Sequence, residues 1–238
     1  MVKDNRNCIA FKFNYCDGGA DDKNIGYFGV CSKSIIDYNI NKAKRTWCSD
    51  LECSCKKYLE GIINYETLKN YWSPKINSDD ITCFESRIFR DWVTNSGVNI
   101  NNKEPRQIAR RDELIGRLCL LTTVKPNYKE KDRVIFGMFI IKKVDKSIYG
   151  IDEMVVSDEK YRLKFNFAES EKLKFWSIYK NPNKPDLKLW GSGLFRYIEN
   201  NDALQFLKMA VEIKTGTSEE KFAKEFLEYY CRINNIKK

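Results

Sequence analysis

The chain has no histidine in 238 residues. No Ser-His-Asp or Cys-His machinery, His-ligated metal or imidazole proton shuttle can be assembled within it. Any metal must be held by Cys, carboxylate or backbone oxygen, and any general base must be Asp, Glu, Lys, Tyr or a thiolate. Long apolar runs are also missing: no window approaches about 18 consecutive apolar residues, so no transmembrane helix and no membrane partner are expected. The opening stretch MVKDNRNCIAFKF lacks the apolar core and small-residue cleavage site of a secretory leader, so a cytoplasmic location is expected. There is no internal repeat and no low-complexity linker.

What is present is globular in kind. Hydrophobic residues make up 42% and charged residues 32% of the chain, enough apolar surface to bury a core without staples. Lys and Arg total 42 against 33 Asp and Glu, a net charge of +9. That excess is concentrated. Residues 101–146 carry 12 basic side chains against six acidic ones, so 46 residues hold +6 of the +9. A local positive field is the footprint of a polyanion partner, although a solvated lysine-rich face would have the same composition. The arginine-rich part, PRQIARRDELIGR, weighs more than the lysines because guanidinium grips phosphate bidentately.

Apolar periodicity predicts mixed elements without a βαβ rhythm, which defines the class as α+β. CIAFKFNY (8–15) and IGYFGVCS (25–32) read as two strands of an opening hairpin across the polar CDGGADDKN turn. Short helices follow around residues 47–61 and 62–74, the first ending at Gly61. CFESRIFRDWVTNSG reads as a helix with Phe84, Ile88, Phe89 and Trp92 on one face and Gly97 as its stop. LIGRLCLLTTV (114–124) and RVIFGMFIIKKV (133–144) are strongly apolar strands, the second with Gly137 marking a bulge or close backbone approach. YRLKFNF (161–167) alternates, LWGSGLFRYI crosses a Gly-x-Gly bend, and two helices close the chain.

Four cysteines, Cys31, Cys48, Cys53 and Cys55, fall within 25 residues. Clustered intracellular thiols favour metal ligation over disulfides. Zinc or a 4Fe-4S cluster would accept four thiolates. The spacing C-x4-C-x-C is not that of a standard knuckle, and unrelated reduced thiols are the competing reading. Cys8 and Cys16 are alternative ligands to Cys31, whereas Cys83, Cys119 and Cys231 lie on apolar faces and are expected in the core. VEIK (211–214) has the letters of a carboxylate nuclease strand, but its surroundings read as continuous helix. No catalytic residue is assigned, and an enzyme acting on nucleic acid would need a cysteine-ligated metal or iron–sulfur centre, or a carboxylate nuclease site.

Aromatic residues stand beside basic ones at SRIFRDW and WGSGLFRY, where they suit stacking on exposed bases, though most aromatics in any domain are core. The candidate nucleic-acid contacts are Arg87, Arg90, Trp92, Arg106, Arg110, Arg111, Trp176, Trp190 and Arg196. Trp92, Trp176 and Trp190 would form an aromatic pocket, with Arg87 and Arg196 donating hydrogen bonds. Phe195, Tyr197 and Tyr179 belong to the same aromatic set.

Together the SRIFRDW opening, GRLCLLTTV, the glycine-interrupted RVIFGMFIIKKV and the WGSGLFRYI turn resemble the PUA-like superfamily, which includes the EVE, YTH and ASCH domains. The resemblance spans residues 81–198, about half the chain. It implies a small, partly open β-barrel flanked by helices, over residues 76–238; the cysteine-rich segment over 1–75, read from its thiols as metal-binding and packed on the rest, departs from the family's usual pattern. It also implies a module that binds RNA or DNA and reads a modified or flipped base, in a bacterial restriction or defence setting, with a separate nuclease protein as partner.

Overall fold

A computed structural model describes residues 6–19, 26–73, 82–99, 104–146 and 153–236. The chain divides into two compact units. Unit 1 comprises residues 1–12, 93–123 and 129–238, and unit 2 comprises residues 13–92 and 124–128. The chain passes between the units at residues 12/13, 92/93, 123/124 and 128/129. The first strand joins unit 1 because its apolar residues are sheet partners of residues far along the chain.

Unit 1 is built on one curled, mixed, half-barrel sheet of six strands: β1 (Cys8–Phe13), β2 (Val93–Asn95), β3 (Leu118–Thr123), β4 (Val134–Lys146), β5 (Glu153–Lys164) and β6 (Phe195–Ile198). Their order is β2-β5-β4-β3-β1-β6. The pairs β2/β5, β5/β4, β4/β3 and β1/β6 are antiparallel. β3 is buried at every position and β4 over its first eight residues, so both read as unbroken apolar runs in the sequence. A register shift between Leu121 and Thr122 sets Leu121 against Gly137 and Thr122 against Ile135. This is the bulge that Gly137 foretold. Two further shifts along β4/β5 add local twist, which is how a sheet curls without breaking its ladder.

Flanking unit 1 are the helices Asn200–Lys214 and Glu220–Ile233. Phe206, Leu207, Ala210, Ala223, Phe226 and Tyr230 pack from them against Leu118, Leu120, Met138 and Leu163 of the sheet in one buried core. VEIK lies in the first of these helices, as its apolar periodicity indicated. Lys214 is buried there, its ammonium donating to both Glu169 oxygens at 2.9 Å and to Glu219 at 2.6 Å. It is a structural ion cluster rather than part of a metal-ligating strand.

Unit 2 is helical. It contains α1 (Lys33–Asp37), a π-helical turn (Tyr38–Lys42), α2 (Ser54–Leu59), α3 (Tyr65–Trp72) and α4 (Phe84–Asp91). Ser32 and Asn64 cap α1 and α3 through their side-chain oxygens, satisfying N–H groups that a helix start leaves open. The expected hairpin does not form: β1 pairs with β6, and residues 26–32 carry no strand. Gly26 (φ 73), Tyr27 (φ 56) and Gly29 (φ 135) lie in backbone regions that no strand adopts. Tyr27 instead buries its ring against Phe89. α4 ends earlier than Gly97, at Trp92, which takes the left-handed conformation itself.

Candidate functional site

The arginine-rich segment 104–111 is held rigidly within unit 1. Glu153, buried at the start of β5, accepts the Ile108 N–H at 2.5 Å and pairs with the Arg111 guanidinium. Its backbone N–H donates to Ser96 Oγ. At the segment's start, Arg106 N–H donates to Gly97 O at 2.9 Å and Asn99 N–H to Glu104 O at 2.8 Å. Near its end, Tyr197 of β6 donates its hydroxyl to Ala109 O at 3.0 Å. Gly97 takes up a left-handed backbone position in this frame rather than stopping a helix. A Cβ there would stand 2.3 Å from Leu194 Cδ1, at a φ of +68°.

This frame sets Arg106 and Arg110 beside β6. Arg106 Nη1 lies 3.9 Å from where a Cβ on Gly193 would stand, so the Gly-x-Gly bend gives the guanidinium room. Arg110 is exposed, with the nearest Glu113 oxygen at 4.0 Å. Phe195 and Tyr197 are half-buried in edge strand β6, edge to face at 5.8 Å. Burial pushes the Tyr197 hydroxyl pKa up, opposed by its bond to Ala109 and by the charge of Arg110. The phenol therefore stays neutral and keeps its proton to donate.

The other expected contact residues take structural positions. Trp92, Trp176 and Trp190 are only 5%, 5% and 2% exposed. Trp92 packs on Phe89 in unit 2, while Trp176 and Trp190 pack around Phe175 in unit 1. Their indole N–H groups donate to Glu130 O and Gly193 O, both at 2.8 Å. Trp190 also lies beneath the buried Arg133 guanidinium at 4.6 Å. The three indoles therefore do not form an open pocket. The physical reason is area: tryptophan buries more apolar surface than any other side chain available here. Arg196 braces the 189–193 bend, donating to Leu189 O, Trp190 O and Asn181 Oδ1. Arg87 and Arg90 lie on α4 of unit 2, both paired with Asp91, and Arg90 also donates to Trp72 O.

In unit 2 the structure brings Cys31, Cys48, Cys53 and Cys55 to one small cavity of about 10 Å³, and adds Cys83. Asn14 and Glu85 line it too. Cys83 is thus a cavity residue and not core packing, whereas Cys119 and Cys231 are buried in unit 1. Cys55 lies within hydrogen-bonding reach of both Cys53 and Cys83. Cys31 is bonded instead to Cys16, and Cys8 belongs to unit 1, beside Tyr230 Oη at 3.2 Å. Asn14 Nδ2 donates towards Cys48 Sγ at 3.9 Å, and Asn14 N–H donates to Glu85 at 3.3 Å. All nine cysteines are free thiols.

The local electrostatics separate these thiols. The hydrogen bond from Cys55 lowers Cys53 to about 6, against the opposing effect of burial and with help from the Lys56 and Cys55 backbone N–H groups. Cys55 is held well above the usual thiol range by the same bond and its bond to Cys83. Burial raises Cys48 and the Glu85 carboxyl. Among the described residues, no three acidic or cysteine side chains already surround a single point from which all could hold a metal ion.

Sequence reasoning missed Glu153, whose role depends on a pairing 45 residues away, and Cys83, which lies 28 residues or more from the other cavity thiols in sequence. Cys83 did carry one usable signal, its place immediately before a helix rather than within one. No family model, curated protein or solved structure matches the chain. Among the described residues no helix is long and apolar enough to cross a membrane.

Proposed function

We propose that unit 1 is a nucleic-acid-binding module of PUA-like type. The reading is carried by one observation: the arginine-rich segment 104–111 is pinned to the sheet by Glu153, Gly97 and Tyr197, with Arg106 and Arg110 beside the half-exposed Phe195 and Tyr197. Pinning a basic segment lowers the conformational entropy lost when it meets a polyanion. Phosphate contacts from Arg106 and Arg110 supply affinity but no sequence information. Phe195 and Tyr197 supply ring faces for an unpaired or flipped base, a task the three buried tryptophans cannot perform. This reading keeps the base-reading role and moves it to β6.

Fluorescence anisotropy with single-stranded and duplex DNA and RNA oligonucleotides tests the reading. Base–aromatic stacking contributes about 1–3 kcal/mol, so Phe195→Ala should weaken single-strand binding roughly tenfold or more. Tyr197→Phe keeps the ring and should bind within about threefold of wild type, whereas Tyr197→Ala should not. Absence of binding to all four substrates at low salt overturns the proposal. Equal affinity of Phe195→Ala and wild type for single strands overturns the stacking role.

A further inference from the structure

The nucleic-acid contact proposed for unit 1 does not use the thiol cavity of unit 2, whose composition asks for a separate explanation. We propose that it binds one zinc ion through Cys48, Cys53, Cys55 and Cys83. These residues come from the irregular stretch before α2, from the start of α2 itself and from the residue preceding α4. Packing alone does not account for thiols converging from separate segments, since alanine or valine fills such space as well.

Geometry supports a metal in several ways. A tetrahedral zinc site with bonds of about 2.3 Å sets its sulfurs about 3.8 Å apart. Cys55 already lies at thiol hydrogen-bonding distance from Cys53 and from Cys83. Replacing the protons shared among these three by an ion keeps the thiols as neighbours, and Cys48 lines the same cavity. The cavity, at about 10 Å³, has room for a single ion without movement of its walls. Zinc accepts a pure thiolate set, which a chain without histidine can supply.

The surroundings also suit ligating sulfur. Asn14 Nδ2–H points at Cys48 Sγ, and Cys53 accepts the backbone N–H groups of Cys55 and Lys56. Such outer donors orient and stabilise thiolate ligands. Arg45 stands near Cys48 and offsets part of the negative charge that four thiolates leave on zinc. Cys31 also lines the cavity, but its thiol is bonded to Cys16, so Cys48 is assigned as the fourth ligand. On binding, each ligand thiol releases its proton to solvent.

The test is metal content after purification under reducing conditions with added zinc, read by mass spectrometry. Wild type should hold one zinc per chain, Cys83→Ser should lose it, and Cys31→Ser should retain it. Cobalt(II) substitution into folded wild type should give the thiolate charge-transfer and tetrahedral ligand-field bands, a readout that does not depend on a variant folding. No zinc and no such bands in wild type would overturn the site. Full zinc content in a folded Cys83→Ser, loss of zinc in a folded Cys31→Ser, or iron with sulfide in place of zinc would overturn the assignment.

Discussion

Glu153 and Ile108 are joined by a short charge-assisted bond, 2.5 Å from backbone N–H to carboxylate, and this bond sets the path of the arginine-rich segment. The same carboxylate takes the Arg111 guanidinium. One buried acid thereby fixes both the backbone and one charge of a segment otherwise exposed at most positions. Arg111 is consequently tied to Glu153, which leaves Arg106 and Arg110 as the proposed phosphate contacts.

Glu153→Ala should release residues 104–111 without unfolding the sheet. Arg111 is itself 42% exposed, so solvent can replace much of the lost pairing, and the cost should be about 1–3 kcal/mol. Hydrogen exchange should rise at Ile108 and its neighbours while β3 and β4 stay protected. Unchanged exchange at Ile108 would mean that the segment is held by something else.

Trp190→Ala and Trp176→Ala should each destabilise unit 1 by about 3–5 kcal/mol, the usual cost of truncating a buried aromatic. At a temperature where the variants remain folded, neither should change the preference between single-stranded and duplex nucleic acid. Denaturant unfolding alongside binding separates the two effects. A selective loss of single-strand affinity without loss of stability would return these indoles to the contact surface.

The legible and illegible parts of the molecule differ in a physical way. β3 and β4 could be read from their apolar runs because both faces are buried, and Gly137 marked its bulge because a glycine inside such a run has few other uses. The two closing helices could be read from their amphipathic spacing. The hairpin could not: Ile9 and Phe11 look the same whether their partner is near in sequence or is Tyr197 and Phe195 of β6. In the cavity, the density of Cys48, Cys53 and Cys55 was visible, but Cys83 is brought in by tertiary packing. The tryptophans were misplaced because an aromatic next to an arginine has the same letters in a core cation–π pair, such as Trp190 with Arg133, as in a base pocket.

Lys214→Ala should destabilise unit 1. It leaves the Glu169 and Glu219 carboxylates without their shared cation, but Glu219 is 47% exposed and solvent takes over part of the pairing, so the cost should be about 1–3 kcal/mol. Equilibrium denaturation should show this loss, and nucleic-acid affinity at low temperature should stay within about threefold of wild type. A stable Lys214→Ala variant with lost binding would place this lysine in function.

The salt dependence of nucleic-acid affinity tests the central claim most directly. Each phosphate contact adds about 0.7–0.9 to the slope of log affinity against log salt. Arg106→Ala/Arg110→Ala should therefore bind more weakly to every sequence, with a slope shallower than wild type by about 1.4–1.8, while its unfolding transition stays in place. A folded double variant with the wild-type slope would contradict the account.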